Sequence, residues 1–232
     1  VVKEYAQMNG GSSMQAVGRR AVLAGFLATG VMALPGCTTI GRPSYTDIIE
    51  NLLMLSSQRA FARLTQPDGF WDSQVARINM PVLFGRPGSV AQKVFRSPLF
   101  KEKLQRELNR IAEDGARVAA PIVYDAVRSL TVTDALALLR GGDTSATTFL
   151  RQSMGSGLVN AMIPELDRVM RMAEDPILNT AVNALTGVNM ADAAHALALE
   201  ADNAIWYEIG AQEADIRAHP ESTNDGALIA VL

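Results

Sequence analysis

The sequence predicts an all-α fold, a single multi-helix bundle behind an N-terminal export segment. Three observations carry that prediction. Apolar residues make up 48% of the 232-residue chain and charged residues only 19%, a balance that supports a packed core rather than a disordered chain. Aromatics are sparse at 6%, while Ala, Leu, Arg, Glu and Gln, which lose little rotamer freedom in a helix, carry much of the sequence. Apolar residues recur at three- and four-residue spacing, Gly and Pro punctuate the stretches between them, and no run alternates as a strand would.

The elements follow in order. Arg19 and Arg20 are followed by about 14 uncharged, mostly apolar residues and then small ones, the three parts of an export signal over residues 1–36. Ala21 to Gly36 is shorter than the roughly 20 apolar residues a membrane-spanning helix needs, so the segment reads as one that is removed. The paired arginines before Ala-Val-Leu look like a degenerate twin-arginine signal. Residues 1–13 play no part in such a signal and read as a misassigned start. A tether over residues 37–44, TTIGRPS after Cys37, leads into the helical domain at 45–232.

In that domain, Ile49, Leu52, Leu53, Ala60 and Leu64 form one stripe of a first helix from Tyr45 to Leu64, with Ser44 or Thr46 as its cap. Gln66-Pro67-Asp68-Gly69 ends it in a turn, after which Phe70 and Trp71 are expected to fill the core. Asp72 to Val90 is a Pro- and Gly-containing loop with at most one short ordered piece near Val75 to Ile78. Ser97-Pro98 caps and starts a central helix with the stripe Leu104, Leu108, Ile111, Ala112, Gly115 and Ala119, which continues to Leu130. Pro121 should kink or split it, because an interior Pro removes a backbone hydrogen bond and clashes with the preceding turn. Asp134 starts another helix that Gly141-Gly142 stops, Asp143 caps the next, from Thr144 to Met154, and Gly155-Ser156-Gly157 breaks the chain again. Helices from Leu158 to Ala173 and from Pro176 to Leu185 precede a long final one bearing Leu197, Ala198, Ala201, Ile205, Ile209 and Ile216, which halts at His219-Pro220.

Four ordered blocks now resemble a bacterial family catalogued as DUF4197. They are PDGF at Pro67 to Phe70, LNRIAEDGARVAAPIVYDAV at Leu108 to Val127, LTVTDALALLRGGDTSATTFLR at Leu130 to Arg151, and IGAQEADIRAHP at Ile209 to Pro220. The resemblance implies an exported all-α protein and no assigned activity. The tail DGALIAVL departs from the basic and aromatic ending associated with the family.

Leu34-Pro35-Gly36-Cys37 resembles a bacterial lipobox, with Pro35 departing from the commonest residues there. Cys37, the single cysteine of the chain, is accordingly the expected site of lipid attachment, and internal disulfides are excluded. The expected location is the periplasmic side of a membrane in the cell envelope.

Chemistry is thinly signalled. Residues beyond 36 carry 18 basic and 23 acidic groups, against a nucleic-acid partner. They are uneven, with 13 basic and 9 acidic groups from Arg42 to Arg128 but 5 and 14 from Ser129 onward. His195 and His219 are 24 positions apart, and Asp192-x-x-His195 alone makes no metal shell, so no metal or other cofactor is expected. Gly155-Ser156-Gly157 lacks the nucleophile elbow of a serine hydrolase, and Arg140-Gly141-Gly142-Asp143 lacks the Lys and Ser or Thr of a phosphate loop.

The remaining polar group is Asn109, Arg110, Glu113 and Arg117, joined by Glu213 and Arg217. Three- and four-residue spacings let Arg110, Glu113 and Arg117 touch, and Glu213 with Arg217 repeats the geometry. Two such pairs meeting across the bundle would frame a polar pocket, where an arginine fork takes a carboxylate or phosphate. Helix-face pairs are equally ordinary surface features, worth about 0.2 to 0.5 kcal/mol each. The sequence therefore favours a non-enzymatic, membrane-tethered domain that binds an envelope protein or a small anionic ligand. The alternative is a carboxylate-dependent hydrolase or lyase with Glu113 and Glu213 as acid and base.

Overall fold

The computed structural model describes residues 43–80, 96–172, 175–184 and 189–232. The expected signal over 1–36, Cys37 with the tether as far as residue 42, and the loop over 81–90 lie outside the described residues. Those described are helical with no strand among them, and the all-α bundle is the fold.

Helix α1 spans Tyr45–Leu64. Of the two possible caps it uses Ser44, whose Oγ accepts from the Asp47 amide at 3.2 Å while Asp47 accepts from the Ser44 amide at 2.8 Å, a reciprocal capping box. The Asp47 carboxyl is held below its ordinary range by these bonds. At the far end Asp68 takes a positive φ of 59°, and a Cβ on Gly69 would collide with the Arg63 carbonyl, so the turn requires glycine there.

Phe70 is fully buried, as expected, but Trp71 is only half-buried. Its ring instead lies under two guanidinium groups, Arg77 at 4.7 Å and Arg106 at 5.4 Å from the ring centroid, and Arg106 also bonds Asp68 at 2.8 Å. A guanidinium over the indole face is attracted by the ring quadrupole, which favours this half-buried place at the rim. Residues 74–76 form a turn, with Ser73 Oγ accepting the amides of Val75 and Ala76.

Helix α2, Pro98–Arg128, is capped by Ser97 and runs through Pro121 as one element of 31 residues. Of the kink or split expected at Pro121, the split does not occur. Pro121 is exposed, so its ring faces solvent while the residues on the opposite stripe, from Leu104 to Val123, stay buried in the core. Helix α3 is Ala135–Leu139, α4 Ser145–Met154, α5 Gly157–Met172, α6 Pro176–Asn183 and α7 Met190–Ala218. A 3-10 turn at Pro220–Thr223 and a last helix, α8 at Gly226–Val231, complete the chain. This tail had no predicted structure; Leu228 anchors it in the core and Asp225 caps it.

Helix α7 is the hub of the bundle, packing against α1, α2, α4 and α5. Arg59 and Arg63, rising along α1, meet Asp215 and Glu208, descending along α7, so the two helices run antiparallel. Close approach is obtained at two glycines: Gly210 of α7 faces Thr144 at the start of α4, and Gly115 of α2 faces Leu166 and Met162 of α5.

Candidate functional site

The polar residues singled out in the sequence divide between two places, and no hydrogen bond or ion pair among the described residues links them.

The first lies where α3 meets α4. Both residues come from α7, one turn apart and facing the bundle. Glu213 Oε1 accepts from the Ala146 amide at 3.1 Å and from Arg217 Nε at 2.9 Å, and Oε2 accepts from the Thr147 amide at 2.7 Å. Arg217 Nη1 donates to the Leu139 carbonyl at 2.9 Å, and Nη2 to the Leu138 carbonyl at 3.0 Å and to Ser145 Oγ at 3.1 Å. The carboxylate thus sits on the positive N-terminus of α4 and the guanidinium on the negative C-terminus of α3, so each charge meets a helix end of opposite sign. This corrects the expected cap of α4. Asp143 is exposed, Thr144 makes no side-chain cap bond, and a residue 66 and 67 positions away takes those amides. Every donor-bearing nitrogen of Arg217 and both oxygens of Glu213 are engaged.

The second lies where α2 passes under the turn after α1. Asn109 is fully buried; its Oδ1 accepts the Ile78 amide at 2.8 Å and its Nδ2 donates to the Ile78 carbonyl at 2.9 Å and the Gln105 carbonyl at 2.8 Å. It splints the segment after Ser73 to the helix. Arg110 turns outward and pairs with Glu107 at 2.5 Å, not with Glu113. The reason is position: Glu113 lies on the buried stripe with Asn109 and Ala116, whereas Arg110 is exposed. Arg117 binds Asp114 and the Thr65 carbonyl, and approaches Glu113 only to 3.9 Å.

Glu113 is consequently 4% exposed, with Oε1 buried and without a hydrogen-bond partner. Burial raises its pKa from the ordinary carboxylate value, against the opposing pull of Arg117 and the Asp68 backbone. The two carboxylates proposed as acid and base therefore occupy separate surroundings, one saturated by amides and the other under a turn.

Three further acidic residues on α7 were not singled out in the sequence. Asp202 accepts from Trp206 Nε1 at 2.9 Å and from Arg151 at 3.0 Å, and burial raises its pKa. Glu208 is 1% exposed and accepts from Ser73 Oγ at 2.7 Å and Gln212 at 3.0 Å, with Arg63 at 3.5 Å. Asp215 pairs with Arg59. The signal for two of them was present: Asp202 falls four residues after Ala198 and Glu208 three after Ile205, on the stripe that predicted the buried face of the helix. His195 and His219 are both exposed. Among the described residues no three His, Cys, Asp or Glu side chains are grouped so as to hold a metal ion, and no helix is long and apolar enough to cross a membrane.

A family model described as Protein of unknown function (DUF4197) matches residues 40–232. The chain belongs to DUF4197. Comparison with curated proteins and with solved structures gives no match. In this DUF4197 protein the third and closing sequence blocks meet. The closing block supplies Glu213 and Arg217, which grip the third block at Leu138, Leu139 and Ser145–Thr147. The second supplies Arg117, which reaches the Thr65 carbonyl just before the Pro67–Phe70 turn.

Proposed function

We propose that this DUF4197 protein is a lipoprotein of the bacterial cell envelope, acylated at Cys37 and held at the periplasmic face of a membrane, whose helical domain is a non-enzymatic interaction module. The observation that carries the reading is the place of Cys37. It closes a Leu-Pro-Gly-Cys sequence behind an apolar run, and the family domain begins at residue 40, just beyond it. A diacylglyceryl group on that thiol, with a further acyl chain on the freed amine, contributes about 0.8 kcal/mol for each methylene buried in the bilayer.

The interaction role is supported by what the charged side chains already do. Arg110, Arg117 and Arg217 each hold a carboxylate or carbonyl of the chain itself, and Glu213 is fully bonded. These groups serve the fold, so an external envelope protein would be met by the outer helical surface.

The test is growth of cells expressing the protein with an alkyne-tagged palmitate, followed by membrane fractionation. The wild-type chain is expected to carry the tag and to sediment with membranes, and Cys37→Ser to lose both. Equal labelling and sedimentation of the Cys37→Ser chain would overturn the reading.

A further inference from the structure

At the end of the domain where the chain enters it, α1 and α8 leave an apolar groove between them. Its volume is about 790 Å3, and its walls include Pro43, Tyr45, Ile48, Ala227, Ala230 and Val231. Of these residues Tyr45 is 51% exposed and Val231 38%, and Ile229, on the same helix α8, is 46% exposed. We infer that this α1–α8 end is a membrane-contact surface, which rests on an uncharged, zwitterionic phospholipid leaflet with Tyr45, Ile229 and Val231 entering its interface.

Two features select that occupant. The first is reach. Pro43 forms part of the groove wall and stands six residues after Cys37, so a fully extended tether spans at most about 20 Å. An acyl group on Cys37 therefore keeps this end within about 20 Å of the lipid surface; the inference rests on that anchoring. Within this reach a tyrosine ring suits the headgroup level, its body apolar and its hydroxyl wet, and the two aliphatic side chains suit the acyl boundary beneath.

The second is charge. A neighbouring pocket that shares Pro43, Ile48 and Ala227 with the groove is rimmed by Asp47, Glu50 and Asp225. Arg128 is the one basic residue in its lining and is already paired with Asp125 at 2.8 Å. A rim of carboxylates repels an anionic leaflet, so apolar contact and not headgroup attraction must supply the affinity. The same charge disfavours an acidic protein segment in the groove.

The experiment couples the full chain, through its single cysteine, to maleimide-headgroup lipids in phosphatidylcholine vesicles and follows amide hydrogen exchange. This attachment bypasses cellular acylation, so its outcome is independent of the palmitate test. Amides of residues 44–48 and 226–232 are expected to exchange several-fold more slowly on vesicles than in the uncoupled chain, while those of 199–207, where Leu199 and Tyr207 are equally exposed, keep their rates. The double variant Ile229→Asp with Val231→Asp, altered only at exposed positions, should lose that protection and keep its melting temperature. The inference is overturned if the coupled chain shows no slowing at 226–232, or if the double variant is protected as well as the wild type. It is also overturned if protection appears only when phosphatidylglycerol is added and disappears in salt.

Discussion

Glu213 and Arg217 illustrate what a charge pair requires before it can be buried. Arg217 is 10% exposed and Glu213 not at all, yet neither is left with an unanswered charge, because two amides at the start of α4 and two carbonyls at the end of α3 complete the set. Removing one partner strands the other. Arg217→Met is expected to destabilise the fold by about 3–5 kcal/mol, the usual result of orphaning a buried ion. Glu213→Gln, which keeps one acceptor for the α4 amides, should cost less, and the double variant should cost less than the sum of the two. Urea denaturation of the four proteins measures the coupling; strict additivity would show that the pair does not act as a unit. The i,i+4 spacing made this pair legible in the sequence. Its backbone partners were not, since nothing in local spacing ties residue 213 to residues 146 and 147. Glu113 shows the converse failure, where two arginines stood at suitable spacing and the one at 110 found Glu107 instead.

Helix boundaries were the most legible feature, because they depend on local chemistry. Ser97-Pro98 begins α2, Asp134 caps α3 and Pro176 begins α6, as expected, and Asp175 adds to the last a cap that was not expected from the sequence. Asp192 proved to belong to a capping box with Asn189 and so serves the start of α7 rather than His195. Pro121 does not split α2, because the rest of the helix outweighs the cost of one interior proline. Eleven buried residues spread along its 31 hold α2 together across one missing hydrogen bond. Since Pro121 is exposed, replacing it loses little packing and restores a donor. Pro121→Ala should therefore raise stability by about 1–2 kcal/mol, the helix-propensity gain partly offset by a freer unfolded chain. A thermal melt checks this, and a fall in melting temperature would mean that the ring makes contacts that its exposure does not suggest.

Across the whole molecule, charge inside the bundle sets how stability responds to acid. Glu113 on α2 and Asp202 on α7 are both raised by burial and lie in separate surroundings, so their effects add. The folded chain keeps their protons at pH values where the unfolded chain has released them. The stability they contribute is fully present below the ordinary carboxylate value of about 4 and is lost as pH rises through the raised values. Melting temperature followed from pH 4 to 7 should show this loss. Glu113→Gln should flatten it, matching the wild type near pH 4 and exceeding it at neutral pH by about 1 kcal/mol. A variant with an unchanged profile would remove Glu113 from the account. The all-α architecture was legible from composition and period alone. That α7 should be the hub was less so, because its stripe carries Asp202, Glu208 and Glu213 among alanines and reads as only weakly amphipathic until each acid is seen with its partner.

The grip of Glu213 on the start of α4 also bears on how the chain is made. Synthesis runs from the N-terminus, and the carboxylate that satisfies the Ala146 and Thr147 amides is added some 66 residues after them. Until then the first turn of α4 lacks its cap and the last turn of α3 lacks its guanidinium. The corner between them is thus completed only when the final long helix has left the ribosome and docked, which makes the closing segment of the chain a late checkpoint for a region in its middle.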